Sequence, residues 1–408
     1  MTKRVVVTGG SAITPIGSSW ETIEKNLLAR RNGVVRMSEW DKYPHLNTRL
    51  AAPAPFDDPG YPRKKTRGMG RVALMAVKSA ETALADAGLL GNSDLQSGAC
   101  GVSFGSSTGN VDALLDYYSM LVVNDVQRIT ATTYIRSMPQ TCAVNIGIFF
   151  GLNGRLLTTN TACTSGSLSI GMGYEAIRFG MQKLMVCGGA DELSPTSSAV
   201  FDTLFATSVR NASPHLTPRP YDRDRDGLVI GEGAGVLVLE ELEHAQERDA
   251  RIYAEVAGFG TNTDGDHITQ PNKTTMEIAL RLALESGGVS PDEVDYVDGH
   301  GTGTAYGDIA ESWATYNCFR RPVPISSQKS YMGHTLGACG AIEAWLAIRM
   351  MDSGWFAPNI NLDNVDPDCA PLHYVTDRGL TLNARYVMSN NFAFGGINTS
   401  LIFKRWQG

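Results

Sequence analysis

Four short segments of this 408-residue chain carry side chains able to do chemistry together. In Thr161-Ala162-Cys163-Thr164-Ser165-Gly166-Ser167, Cys163 stands between a strand-like run and a helix start. A thiol at a helix N-terminus feels the positive end of the helix dipole, which favours the thiolate and raises its nucleophilicity. Its plainer reading is a small core residue. In Asp298-Gly299-His300-Gly301-Thr302-Gly303-Thr304, followed by Gly307-Asp308, His300 is bracketed by glycines that let other groups approach closely. Its plainer reading is a turn histidine facing solvent. In Ser326-Ser327-Gln328-Lys329-Ser330-Tyr331-Met332-Gly333-His334, Lys329 and His334 enter a helix that also carries Glu343. A lysine and a glutamate can offset each other's burial cost. Otherwise they are a surface lysine and a capping histidine. In Ser389-Asn390-Asn391-Phe392-Ala393-Phe394-Gly395-Gly396, two aromatics run into paired glycines. Such a loop can place a backbone N–H beside a site, with Phe392 and Phe394 as a lid, or it is an ordinary turn before the last strand.

These segments need elements to hold them. Strand-like runs fall at residues 5–8, 100–104, 156–159, 183–186 and 236–239, with Gly9-Gly10 and Gly188-Gly189 read as stops. Helical spacing marks 20–29 and 71–87, and the proline-rich stretch 41–68 reads as a surface loop. A second series begins near Arg251, with strands at 252–256, 294–297, 386–388 and 401–403 and helices at 275–285 and 338–351. The alternation predicts an α/β fold with buried strands. It predicts two similar halves, 1–250 with Cys163 and 251–408 with both histidines.

Composition narrows the function classes. A net charge of −7 argues against a nucleic-acid binder, and 43% hydrophobic with 19% charged residues argues against disorder. The seven cysteines are odd in number and contain no CxxC pair, so neither a disulfide framework nor a zinc ribbon fits. No metal or bound cofactor is expected. A reducing cytoplasm is the simplest compartment, and no apolar run approaches a membrane span. The run Val5-Val6-Val7-Thr8-Gly9-Gly10 lacks GxGxxG spacing, which sets aside a dinucleotide-binding reductase.

Taken together and in this order, the four segments resemble the elongating β-ketoacyl-carrier-protein synthases of fatty-acid and polyketide synthesis. The resemblance runs from Val5 to Phe403 and includes Arg219-Pro220-Tyr221-Asp222, Arg225-Asp226-Gly227 and Gly231-Glu232-Gly233-Ala234-Gly235. It implies a thiolase-like, five-layered α-β-α-β-α fold of two similar halves, usually dimeric. It implies Cys163 as acyl-accepting nucleophile, His300 and His334 as the decarboxylation pair, and Lys329 paired with Glu343. It also implies Phe394 as a gating residue whose N–H helps form an oxyanion hole, with Phe392 and Asp308 in support. Two histidines distinguish this set from the Cys-His-Asn set of initiating synthases. Thiolases add a second catalytic cysteine, and Cys318, Cys339 and Cys369 lie outside a matching context. Cys339 reads as helix packing.

The resemblance implies acyl- and malonyl-carrier proteins as partners, whose phosphopantetheine arms bring the substrates, and a second, identical or related ketosynthase-like chain. Arg63, Lys64, Lys65 and Arg67, with Arg210, are the candidate basic surface for a small acidic carrier protein. They also fit a solvated charge run. Leu114 matches a position on the acyl-pocket floor, or is plain core. A non-catalytic chain-length factor shares the fold but normally lacks the cysteine, so this chain would be the active half of any such pair. The chain departs from the family's usual residues at Gln328 and Met332 (threonines), Ala305 (proline), Asn391 (serine) and Ala393 (glycine). A Cβ at Ala393 is expected to restrict the gating loop, and these surroundings point to a specialised acyl chain such as a polyene.

Overall fold

A computed structural model describes residues 2–408. Eleven strands form one sheet: β1 (Val5–Ile13), β2 (Cys100–Gly105), β3 (Leu156–Thr159), β4 (Leu184–Asp191), β5 (Gly233–Glu241), β6 (Ala254–Thr263), β7 (Val294–Asp298), β8 (Pro324–Ser326), β9 (His373–Tyr374), β10 (Tyr386–Ala393) and β11 (Ile397–Arg405). Their order is β9-β8-β7-β10-β11-β6-β1-β5-β4-β2-β3. The sheet has a seam where β1 meets β6 antiparallel, through Val6↔Glu255 and Val7↔Ala254. Outward from the seam each side repeats one pattern. Two antiparallel pairings (β1-β5-β4 and β6-β11-β10) lead to two parallel ones (β4-β2-β3 and β10-β7-β8).

Six helices complete the layers: α1 (Arg71–Asp86), α2 (Thr141–Phe150), α3 (Ser165–Arg178), α4 (Lys273–Gly287), α5 (Ala305–Phe319) and α6 (Cys339–Ser353). Helices α1 and α2 cover one outer face, where Val72, Leu84 and Ile146 pack on Val102, Phe104 and Val236. Helices α3 and α6 are sandwiched in the middle, where Ile170 and Ile342 meet Leu237 and Leu401. Helices α4 and α5 cover the other outer face, where Leu280 and Ala314 meet Val297 and Ile402. The result is the expected five-layered α-β-α-β-α, thiolase-like architecture. Among the described residues, no helix is long and apolar enough to cross a membrane.

The strands outrun their sequence-based limits, because glycine does not stop them. Gly9-Gly10 lie inside β1, Gly188-Gly189 inside β4, and Gly258 inside β6. These strands are covered on both faces, and glycine lets helix backbone come close. A Cβ on Gly9 would stand 2.5 Å from the Ala83 carbonyl oxygen of α1. The stretch 41–68 is mostly irregular but holds a buried strand at Leu50–Ala52 and the short helix Arg63–Thr66. Helix α5 has no clear apolar period, because Asp308, Glu311, Ser312 and Thr315 are buried in it. The helix Val111–Val123 escapes for the opposite reason: Leu115, Leu121 and Val122 leave it apolar on its exposed face.

Candidate active site

Strand ends bring the four segments to one cavity of about 500 Å³, lined by Cys163, His300, His334, Phe392 and Phe394. Cys163 sits in a 3₁₀ turn (Ala162–Thr164) between β3 and α3. Ala162 turns the chain with φ +49, a left-handed conformation that costs a residue with a Cβ about 1–2 kcal/mol. The Ser165 hydroxyl braces the turn, accepting the Thr161 N–H at 3.0 Å and donating to the Ala162 carbonyl at 2.8 Å. The backbone N–H groups of Phe394 and Cys163 pull the Cys163 thiol toward its charged form. Phe394 is seated against Phe201, with ring centroids 5.1 Å apart.

His300 follows β7 in a loop stitched to α5. The Glu311 carboxylate accepts the His300 N–H at 2.6 Å and the Gly301 N–H at 2.7 Å. Asp308 accepts the N–H groups of Thr302 and Gly303 at 3.0 and 3.2 Å, accepts that of Tyr221, and pairs with buried Arg225 at 3.6 Å. Acidic groups in the first turns of a helix also meet its positive end. His334 precedes the turn into α6. That turn is held by Asp191, whose carboxylate accepts the Gly337 N–H at 2.6 Å and the Ser106 hydroxyl at 2.9 Å.

The polar groups face one another closely. His334 Nε2 lies 2.9 Å from Cys163 Sγ, and its Nδ1 accepts the Leu336 N–H at 3.2 Å. The two imidazoles meet edge to face, with centroids 5.1 Å apart at 88°. Phe392 walls the far side of His300 at 6.2 Å. Lys329 Nζ lies 2.5 Å from Glu343 Oε1 and 3.1 Å from His300 Nδ1. Each histidine thus has its Nδ1 facing a donor, so each carries its proton on Nε2.

Burial sets the charge states. It pushes both imidazoles well below their ordinary range, and the Lys329 ammonium pushes them further, so both are neutral. Burial opposes the Lys329 ammonium, but Cys339, Glu343 and Asp298 together outweigh it and the lysine is held above its ordinary value. Burial pushes the Glu343 carboxyl upward, against Lys329 and Asn391, which donate to its two oxygens and favour the ion pair. Glu311 rises to about 7, and Asp308 and Asp191 to about 6, all by burial. The sequence-based view of Cys163 needs correction. Burial pushes its thiol up to about 11, against the pull of Lys329 and the two N–H groups. The resting enzyme therefore holds mostly thiol at neutral pH.

The other candidate residues lie apart from this cluster. Arg63, Lys64, Lys65 and Arg67 are exposed on and beside the short helix Arg63–Thr66. Arg210 is tied down by Asp226 at 3.4 Å and by the Asp224 carbonyl. Leu114 is half-buried on the helix Val111–Val123 and does not line the cavity. Ala393 ends β10 in extended backbone, so its Cβ brings no strain in this conformation; the left-handed turn falls on Gly395 and Gly396. Cys339 does more than pack, since its thiol donates to the Cys163 carbonyl at 3.3 Å. Sequence reasoning gave no role to Glu311 and Asp191. Glu311 was findable, three residues after Asp308 on one helix face, whereas Asp191 carries no local signal.

Comparison with known proteins agrees with this geometry. Residues 2–245 match the family described as Beta-ketoacyl synthase, N-terminal domain, and residues 253–363 match its C-terminal domain. The 3-oxoacyl-[acyl-carrier-protein] synthase 2 of Vibrio cholerae is 36% identical over 99% of both chains. A crystal structure of a beta-ketoacyl synthase from Burkholderia phymatum is 54% identical, covering 99% of this chain and 100% of that one, with a TM-score of 0.98. The ishigamide ketosynthase/chain length factor is 33% identical over 100% of both chains, with a TM-score of 0.90. The chain belongs to the beta-ketoacyl synthase family.

Proposed function

We propose that this chain is a β-ketoacyl-carrier-protein synthase that extends an acyl group held on Cys163 by two carbons from a malonyl-carrier protein. The half 1–250 supplies the nucleophile and the half 251–408 the two histidines. In the first step Cys163 Sγ attacks the acyl thioester. The N–H groups of Cys163 and Phe394 hold the tetrahedral oxyanion, the carbonyl–sulfur bond breaks, and the phosphopantetheine thiol leaves with the cysteine's proton. In the second step malonyl-carrier protein loses carbon dioxide. The electron pair of the broken carbon–carbon bond passes into an enolate, whose oxygen accepts the Nε2–H groups of His300 and His334. In the third step that carbon attacks the acyl-Cys163 carbonyl and expels the thiolate, which takes a proton from solvent to restore the thiol. No cofactor takes part.

One observation carries the reading: two neutral imidazoles, each with its Nδ1 facing a donor, turn toward the cavity that holds Cys163. Donors fixed in place before charge develops are worth far more in a closed site than in water. The carrier-protein partner fits the exposed cluster of Arg63, Lys64, Lys65 and Arg67. The seven free, buried cysteines fit a reducing cytoplasm.

The test is the mass of the Cys163 peptide after exposure to acyl-carrier proteins with saturated, polyunsaturated and aryl-primed chains, followed by malonyl-carrier protein. An acyl adduct that disappears as a two-carbon-longer product forms, and is absent from Cys163→Ala, is the expected result. An adduct restricted to unsaturated chains supports a polyene pathway. A folded protein that takes no acyl group from any carrier, alone or with a partner chain, would overturn the reading. A second reading is the active half of a heterodimer; the apolar face of the helix Val111–Val123, where Leu121 and Val122 are 73% and 80% exposed, suits an identical or a related partner. The ishigamide relative is a ketosynthase/chain length factor. The mass in solution and the activity of the purified chain separate this from a homodimer.

A further inference from the structure

We propose that Asn391 is a positioning residue for His300. Its amide occupies Glu343 and, together with Lys329, keeps the imidazole proton on Nε2, the nitrogen left for the cavity. Asn391 lies on β10 and is fully buried. Its Nδ2 donates to Glu343 Oε2 at 2.7 Å. The same nitrogen lies 3.3 Å from His300 Nδ1 and 3.7 Å from Cys339 Sγ. Turning the amide over would set Oδ1 against the Glu343 carboxylate, two acceptors in contact, so the orientation is fixed by its neighbours.

That orientation leaves Asn391 Oδ1 buried and, among the described residues, without a partner. The oxygen fits only because residue 340 is glycine, since a Cβ there would meet it at 2.5 Å. A buried acceptor left unpaired asks for an explanation. Here the explanation is the two donors on the other end of the amide.

Glu343 is the group that would otherwise claim His300. A ring nitrogen of His300, the Cys339 sulfur and a carboxylate oxygen of Glu343 lie within 4.8 Å of one another. A free Glu343 Oε2 would accept an Nδ1–H and draw the imidazole proton away from the cavity. Lys329 occupies one carboxylate oxygen and Asn391 the other. The Lys329 ammonium and the Asn391 amide N–H both also face His300 Nδ1, which must be the lone-pair nitrogen. Serine, usual at this position in the enzymes the chain resembles, has a single O–H and cannot serve both acceptors.

The kinetic consequence rests on the proposed reaction and falls on one half of it. Acyl transfer uses the Cys163 sulfur and the N–H groups of Cys163 and Phe394. Decarboxylation uses the His300 Nε2–H. Asn391→Leu keeps the volume and removes both donors. It is expected to slow decarboxylation of malonyl-carrier protein roughly tenfold or more while acylation of Cys163 stays within about twofold. Nitrogen-15 NMR of histidine-labelled enzyme, with His300 assigned by His300→Asn, reads the tautomer directly. Wild type should show Nε2–H, and Asn391→Leu a substantial Nδ1–H population. Asn391→Ser, with one donor, should fall between them and carries the test if the leucine variant does not fold. Equal losses in both half-reactions, or one unchanged tautomer in every variant, would overturn the inference. If wild type decarboxylates nothing, the proposed reaction fails, and the NMR comparison still decides the role of Asn391.

Discussion

His334 Nε2 stands 2.9 Å from Cys163 Sγ while its Nδ1 accepts the Leu336 N–H. The imidazole therefore offers the sulfur a proton rather than a lone pair. It is placed to stabilise a thiolate once formed, and is not a base holding the thiol deprotonated in advance. The same N–H is free to turn to a thioester oxygen when the sulfur is acylated.

A pH dependence follows from the buried thiol, pushed up to about 11. An acid with a raised pKa stays protonated at neutral pH, so the reactive thiolate grows as pH rises. Alkylation of Cys163 by iodoacetamide in the free enzyme should climb close to tenfold per unit between about pH 7 and 9. A rate already level at pH 7 would mean a preformed thiolate–imidazolium pair.

The Lys329–Glu343 pair is 1% exposed at each side chain. Removing one partner of such a pair leaves a buried charge and typically costs about 3–5 kcal/mol. Lys329→Met should lower stability by that order in urea unfolding. Lys329→Met combined with Glu343→Leu should recover part of it, while condensation stays lost in both. Additive losses would show that the two charges are not coupled.

Phe394 is held by its ring contact with Phe201. An aromatic pair is worth about 0.5–1.5 kcal/mol beyond its buried area, up to roughly tenfold in the seated population. Phe201→Leu should slow acylation of Cys163 by up to that factor and leave malonyl decarboxylation nearly unchanged. This is the reverse of the Asn391→Leu pattern. Single-turnover measurements of the two half-reactions check it.

None of Arg63, Lys64, Lys65 and Arg67 has a salt-bridge partner among the described residues, whereas Arg210 is held by Asp226. Lys64→Glu should raise KM for an acidic carrier protein, more at low salt than at high, with kcat kept. Arg210→Ala is expected to disturb the cavity mouth instead, because Asp226 lines it. Equal effects of salt on wild type and Lys64→Glu would remove this helix from the docking surface.

The chain itself carried the candidate reacting groups. Cys163, His300, Lys329, His334 and Phe394 all sit in short segments rich in glycine and small residues, and their types and order were legible without coordinates. So was the alternation of strand and helix that makes an α/β fold of two similar halves, because buried strands read as apolar runs. Strand length was not legible. Gly9 and Gly189 read as local stops, and only the helix and turn backbone packed against them shows why glycine belongs inside those strands. Helix α5 was hidden because buried Asp308 and Glu311 accept backbone N–H groups of the loop that leads into it, which breaks the apolar period. The charge states were decided by tertiary structure alone. A helix N-terminus argued for a thiolate at Cys163, whereas full burial pushes its thiol up. Which nitrogen of each histidine bears the proton depends on Leu336, Lys329 and Asn391, and for His300 both partners are remote in sequence.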